Sequence, residues 1–431
     1  MKVVAFLPAK GSSQRIKSKN MKLLDCKPLF LHTLEKLVEC DFIDEVYLDS
    51  ESDEILNYAS YLNYIPLKRN PELANNKTDG HQMFYNEIRQ VDADIYIQIL
   101  GTSPFIKKET IKKGVNILKD NPDYDSVVLV KREKQYTWGE NGPNYDKNHI
   151  PNSIDLPDTL IETMGLYIVR GDVAHRNKQR IGEKVYMLEA EPIEAVDINY
   201  PEDFVLAEYI AKGLNQKEVS FFQTIGKHLS SCILADIMWG YGIKSHITGL
   251  TVNFPQNKII GRASTIKLRK LNKGEDFNDI YKGLKTYEKI RAGEVIMVEN
   301  ECDDVAYFGE LNSNLANRAG AVGTVVNGVT RDINEVSKIG YTVFSKGYCC
   351  ADIRGIGTVD SFNKTINIQG VKINPGDIIF GDINGVVVIP KKFEEEVLKK
   401  AFISIKTEKN VLEKILNYND AYGIYEEEGA F

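Results

Sequence analysis

Val3-Val4-Ala5-Phe6-Leu7, followed by Pro8–Asn20 (PAKGSSQRIKSKN), decides the fold of the first half of the chain. A β-branched and aromatic run that ends in proline, glycine, two serines and four cations reads as a buried strand entering a loop able to hold a polyanion. Small side chains at Gly11, Ser12 and Ser13 let phosphate oxygens approach the backbone N–H groups, and Lys10, Arg15, Lys17 and Lys19 supply charge. Working outward, LHTLEKLVEC has helical apolar spacing and Ile43–Leu48 reads as a strand. Asp94–Leu100 is a further strand running into Gly101-Thr102-Ser103-Pro104; ETIKKGVNILKDN is helical, and Ser126–Val130 is again strand-like. Strand and helix alternating at this spacing predict a doubly wound α/β sheet. Ligands of such sheets bind at the carboxyl ends of strands, where both loops fall.

Composition bounds the rest. The 431 residues allow two or three domains; 43% hydrophobic and 27% charged residues are ordinary for a globular protein, and the net charge of −7 argues against a nucleic-acid partner. No apolar segment approaches the roughly 20 residues that span a bilayer, and the first apolar run meets Pro8 and Lys10 too early for a signal peptide, so the cytoplasm is expected. Six cysteines without CxxC spacing predict neither a zinc site nor a disulfide framework, and the vicinal Cys349-Cys350 pair reads as incidental.

PAKGSSQRIKSKN, KPLFLHTLEKL, EVYLDSESDEI, RNPELA, TSPF, GLYIVR and VDINYPEDFVLAE, in that order over residues 1–215, resemble the CMP-sialic acid synthetase family of cytidylyltransferases. The resemblance implies a Rossmann-like nucleotidyltransferase sheet that joins CTP to a 2-keto-3-deoxy acid sugar and releases pyrophosphate. It implies triphosphate contact by Lys10, Ser13 and Lys19, nucleotide contact by Asn20, acid-sugar contact near Thr102 and Ser103, and Mg²⁺ ligation by Asp197 with Asn199. Cations and a hard metal suit this chemistry, because charge develops on the phosphoryl oxygens and the leaving group. Asp197 is expected at the carboxyl end of a strand over Ile193–Val196. Asn199 stands where the family carries a second aspartate, Lys10 where arginine is common, Gln14 where lysine is common, and Leu100-Gly101 where Gln-Pro is usual. The acceptor therefore stays open between a keto-deoxy acid and a phosphonate or other acidic compound.

Pro201–Lys212 reads as a helix closing the first domain, and Gly213–Glu218 as a short linker. A second domain over 219–431 begins with the helical pattern IGKHLSSCILADIMW. Strand-like runs Ile259-Ile260, Ser264–Leu268 and Val295–Val298 follow. GELNSNLANRAGAVGTVVNGVTRDINE (Gly309–Glu335), with LSSCILAD, IIGRASTIKLR, GEVIMVE, GYTVFSKG and VKINPGDIIFGDINGVVVIP, resembles the class II 4-hydroxy-4-methyl-2-oxoglutarate aldolases, whose relatives include a ribonuclease-activity regulator. The resemblance implies an α/β fold of the swivelling β/β/α type and carbon–carbon bond cleavage beside a pyruvoyl group. Asp332 is the expected ligand of Mg²⁺ or Mn²⁺, and Arg331 the group that meets the enolate oxygen. The N–H groups of Glu310, Leu311 and Asn312 are expected to hold the substrate carboxylate, Glu310 to orient a water, and Glu335 either to support the site or to lie solvated on a helix. A helix from Lys391 through Lys409 and an acidic EEEGAF tail end the chain.

The joint expectation is a bifunctional enzyme, a homo-oligomer and by preference a hexamer, acting on CTP, an acidic sugar or keto acid, and a pyruvate-type compound. A non-catalytic oligomerisation or regulatory role for the second domain stays open beside it, since fold alone does not establish chemistry.

Overall fold

The structure is a computed structural model that describes all residues except 61, 76, 418, 419, 430 and 431; the end of the acidic tail thus lies outside the described residues. The chain divides into two compact units, Met1–Lys212 and Gly213–Phe431.

In the first unit β1 (Val3–Pro8) is buried throughout. It pairs in parallel with β2 (Glu45–Ser50) on one side and β4 (Ile95–Ile99) on the other, and β3 (Ile65–Lys68) extends the sheet beyond β2. Beyond β4 come β6 (Thr159–Arg170), antiparallel to both neighbours, then β5 (Ser126–Glu133) and β7 (Val185–Glu189). Among the described residues this sheet has seven strands, ordered β7-β5-β6-β4-β1-β2-β3. Helices cover both faces: Leu29–Val38 and Lys108–Asp120 on the side of Val3, Ala5 and Leu7, and Gly80–Ile88 and Gly171–Asn177 on the side of Val4 and Phe6. With both faces covered, a parallel strand has no use for polar alternation, and β1 reads as an unbroken apolar run. Its parallel pairing with β4 puts the carboxyl ends of both on one edge, so the basic loop and Gly101–Pro104 leave the sheet together.

The expected strand at Ile193–Val196 is a turn instead. The buried Glu194 carboxylate accepts N–H bonds from Lys107 at 2.8 Å and Glu191 at 3.0 Å, which folds the segment against the start of the Lys108–Asp120 helix. The expected linker at Gly213–Glu218 is helical, inside one helix over Pro201–Gly226. Asn215–Glu218 offers no breaker, and a single exposed glycine costs a helix only about 1 kcal/mol. The helical pattern around Thr224 breaks in turn, with a second helix starting at Ser231 under a Ser230 cap.

The second unit is built on β10 (Ile259–Lys270), which takes in both short runs expected there. With β8 (His246–Ile247), β9 (Thr251–Val252), β11 (Val295–Asn300), β12 (Gly323–Val326), β13 (Val343–Ser345), β14 (Gly357–Phe362), β15 (Ile378–Asp382) and β16 (Gly385–Ile389), it forms a nine-stranded sheet among the described residues. The order is β8-β16-β15-β10-β11-β12-β13-β9, with β14 paired to β10. The β10-β11-β12-β13 run is parallel, and the helices Glu310–Ala319 and Ile333–Ile339 connect its later strands. No helix among the described residues is long and apolar enough to cross a membrane.

Candidate functional sites

At the carboxyl edge of the first sheet, residues far apart in sequence are tied through the peptide of Ile198. Its N–H donates to the Thr102 carbonyl at 2.9 Å, and its carbonyl accepts from Lys19 Nζ at 2.8 Å. Asp197 is thereby held beside Lys19. Burial lowers the pKa of the Lys19 ammonium; the nearby Asp197 carboxylate partly offsets this, Arg15 adds to the lowering, and Asp203 opposes it. Asp197 Oδ1 accepts from the sealed Ser103 hydroxyl at 3.4 Å and Oδ2 from Asn199 Nδ2 at 2.5 Å. Ser103 therefore supports Asp197 from beneath. Asn199 turns its amide nitrogen toward Asp197, so the pair presents one carboxylate. Asp203, in the first turn of the next helix, reaches back to accept the N–H groups of Asn199 and Tyr200.

The basic loop closes over this edge. Asn20, buried, donates to the Lys10 carbonyl at 2.8 Å, and the Arg15 guanidinium lies 5.0 Å from the Tyr200 ring centroid. The Gly11 N–H, expected to face phosphate, donates to Glu51 Oε1 at 2.8 Å. A carboxylate thus sits where the loop invites an anion. Ser12 is exposed and Ser13 half-buried. Lys36 clamps the Thr102–Ser103 loop from the Leu29–Val38 helix, donating to the carbonyls of Pro104 at 2.5 Å and Ile106 at 2.7 Å. Burial pulls its pKa down to about 7 despite the opposing charge of Glu194.

Beside the edge lies a buried polar chain. Asp49 at the end of β2 is wholly buried and receives a bidentate pair from Arg69, with Nη2–Oδ2 at 2.6 Å. The buried Glu87 carboxyl has its pKa raised well above the usual range, first by burial and then by the charge of Asp49. Gln98 on β4 donates to Glu87 at 2.7 Å and accepts from Arg180 Nη1 at 3.0 Å. Glu51, Lys36, Glu87 and Arg180 escape sequence reasoning, because only the folded sheet and its helices bring them together.

In the second unit the site turns on Gly309, the residue before the Glu310–Ala319 helix. A Cβ there would lie 2.6 Å from Asp332 Oδ2 and 2.9 Å from Arg331 Cγ, so a side chain at 309 would push the Asp332 carboxylate from this position. A bridge between Phe308 and Thr330 holds the two segments together, and a second, between Ala306 and Asp352, brings a third segment alongside. Asp332 adopts φ 56°, in the left-handed region that Asp tolerates better than most residues, and accepts the Glu310 N–H at 3.2 Å. Arg331 points Nη2 at Asp352 Oδ2, 2.7 Å away, with Nε 3.5 Å from Asp332. A cavity of about 650 Å³ opens here, lined among others by Leu311, Asn312, Arg331, Asp332, Asp352 and Tyr287. Of the three N–H groups expected to hold a carboxylate, that of Glu310 is taken by Asp332; those of Leu311 and Asn312 lie in the helix's first turn, where no intrahelical acceptor exists. The Glu310 side chain is exposed and is not part of the cavity lining, and Glu335 pairs with Lys338 at 3.6 Å on the helix surface.

Among the described residues no three His, Cys, Asp or Glu side chains gather as a metal cage. Asp197 and Asp332 each fit the other arrangement, a hard cation held by one carboxylate plus substrate and water oxygens.

A cytidylyltransferase family model matches residues 4–219, and an aldolase/RraA family model (RraA-like) matches 231–388. A Halalkalibacterium halodurans protein, named as a candidate 4-hydroxy-4-methyl-2-oxoglutarate aldolase, is 31% identical over 44% of this chain and 85% of its own length. The chain belongs to both families. The CMP-N,N'-diacetyllegionaminic acid synthase of Legionella pneumophila is 26% identical to the cytidylyltransferase unit, over 50% of this chain and 99% of its own length. Protein DlpA of the same organism is 34% identical over 42% of this chain, and the chain spans only 29% of that protein. The cytidylyltransferase match covers the Lys19–Asp197 edge, and the aldolase/RraA match covers Gly309–Asp332.

Proposed function

We propose that the first unit transfers the cytidylyl group of CTP to a 2-keto-3-deoxy acid sugar, releasing pyrophosphate, and that the second makes or breaks a carbon–carbon bond beside a pyruvoyl group. The observation that carries the first reading is the Ile198 clasp. It holds an ammonium and a carboxylate together at the strand ends, although Lys19 and Ile198 are 179 positions apart. In the transfer, an acceptor hydroxyl gives its proton to solvent as its oxygen bonds to the α-phosphorus, the bond to the bridging oxygen breaks, and that bond's electron pair leaves with pyrophosphate. Lys19, with Lys10, Arg15 and the Ser13 backbone, meets that charge; Asn20 fixes the loop. A divalent cation, Mg²⁺ or Mn²⁺, bound at Asp197 supplies further charge stabilisation to the phosphoryl oxygens.

In the second unit the N–H groups of Leu311 and Asn312 hold the substrate carboxylate and Arg331 meets the oxygen that becomes negative as the carbon–carbon bond opens. Asp332 is the carboxylate for a metal that polarises the same region. The two chemistries are complementary, since a keto-deoxy acid is built from a pyruvate unit and an aldehyde. The chain works as a homo-oligomer, by preference a hexamer, whose size light scattering would read.

Two assays test this. The chain given CTP, Mg²⁺ and a panel of keto-deoxy acids should release pyrophosphate, and no release with any acid sinks the first reading. The chain given 4-hydroxy-2-oxo acids and Mg²⁺ should form pyruvate; activity unchanged in Asp332→Asn removes the second. The single carboxylate presented by Asp197 and Asn199 favours a second reading, a phosphonate acceptor, which a phosphonate arm of the first assay separates.

A further inference from the structure

Arg180 is 7% exposed, yet no carboxylate comes within 4 Å of its guanidinium among the described residues. The groups it touches are uncharged, and the Glu162 carboxylate nearby is bound to the Tyr167 hydroxyl rather than to the guanidinium. Nη1 donates to the Gln98 amide, the guanidinium carbon lies 3.7 Å from the Tyr167 ring centroid, and a Cβ at Gly80 would be 2.7 Å from that carbon. Glu87, the carboxyl linked to Arg180 through Gln98, is driven toward its uncharged form by burial and by Asp49, whose own charge is taken by Arg69. A buried cation without an anion is costly, and proteins ordinarily pair such charges. The missing partner is therefore an anion that arrives with a ligand.

The geometry points to the carboxylate of the acceptor acid as that anion, an inference that rests on the cytidylyl-transfer reading. With Nη1 occupied, the guanidinium keeps its side-on edge of Nε and Nη2. Nε is buried without a partner. That edge is the fork that grips a carboxylate with two parallel hydrogen bonds. Arg180 is tied to β4 through Gln98 and to β6 through Tyr167, whereas the triphosphate cations Lys10, Arg15 and Lys19 come from the loop after β1. Tyr167 stands two residues beyond Gly165 on β6, where a Cβ would be 2.6 Å from the Oγ of Ser103, the residue that donates to Asp197; the arginine's ring partner thus borders the reacting edge. The acid group of the acceptor is thus bound apart from the phosphate cradle, by a cation that Tyr167 and Gln98 hold in place.

Calorimetric titration of the full chain with 3-deoxy-manno-octulosonate and N-acetylneuraminate, each beside its methyl ester, tests this, with CTP titrated separately. The native chain should bind at least one acid about tenfold more tightly than its ester, the scale of one charge-assisted pair. Arg180→Met should abolish that preference and leave CTP affinity within about twofold, and Arg180→Lys, which keeps the charge without the fork, should fall between. No acid-over-ester preference in the native chain overturns the assignment. So does a preference retained in folded Arg180→Met, or a loss that falls on CTP instead. If the preference depends on Arg180 but no acid supports pyrophosphate release, the transfer reading fails and the carboxylate site stands.

Discussion

Asp197 shares its Oδ2 with the Asn199 amide at 2.5 Å, so adding a carboxylate at position 199 places two like charges in contact. Asn199→Asp should lower the thermal midpoint in chelator and show a larger rise with Mg²⁺ than the native chain. Equal Mg²⁺ responses in thermal melts would remove Asn199 from the metal assignment. Lys19 is a second test at this scale. In the proposed transfer, Lys19→Met removes a cation that meets the triphosphate and meets it more strongly as charge builds on the leaving pyrophosphate, so kcat for pyrophosphate release should fall about 10²–10³-fold while CTP affinity falls less. A KM effect alone would make Lys19 an anchor of Ile198 and nothing more. The chemistry-bearing types in the basic loop and in Arg331-Asp332 were legible because each sits in a compact run. Gly11's bond to Glu51 and Ser103's bond to Asp197 were not, since they depend on partners 40 and 94 positions away, and Asn199's turn toward Asp197 is a rotamer choice that residue type alone does not announce.

Elements place these residues, and the Leu29–Val38 helix does so with a titratable clamp. Lys36 has a folded pKa of about 7 against an ordinary value of 10.5. Between those values the unfolded chain holds a proton that the folded chain has released, so stability rises with pH across that window; the burial penalty is full below about pH 7. Lys36→Met should remove part of the rise in thermal midpoint between pH 7 and 9, and an identical pH profile in the variant would reject the assignment. The same substitution leaves the Pro104 and Ile106 carbonyls without their donor and should reduce transfer activity through the Thr102–Ser103 loop. Strand and helix positions were readable from apolar spacing, since β1, β2 and β4 are short runs buried by helices on both sides. The turn at Ile193–Val196 passes for a strand in sequence because Ile193, Ala195 and Val196 are apolar around one charged residue. What folds them back is the single carboxylate of Glu194, and periodicity does not register it.

At the scale of the whole molecule, each unit carries its own core and its own candidate site. In the first, the Arg69–Asp49 pair is sealed at 2% and 0% exposure, so Arg69→Leu should cost about 3–5 kcal/mol in urea unfolding by stranding a buried carboxylate. Arg69→Leu with Asp49→Leu should recover much of that loss, and a double variant no more stable than the single would mean the pair is not the unit that matters. The parallel strands and their order of loops were legible; the antiparallel β6 and the buried polar chain beneath it were not, because nothing local in Thr159–Arg170 announces its direction.

Gly309 and Asp332 meet so closely that the two positions should vary together. Any side chain at 309 would occupy the space of the Asp332 carboxylate oxygen, 2.6 Å from the added carbon. A lineage that drifts to alanine or serine at 309 loses the clasp in the same step, and selection on Asp332 is relaxed with it. Sequences descended from a common ancestor with this chain should therefore fall into two groups at these columns: glycine with aspartate, or neither. A sizeable group carrying a side chain at 309 together with aspartate at 332 would contradict that coupling.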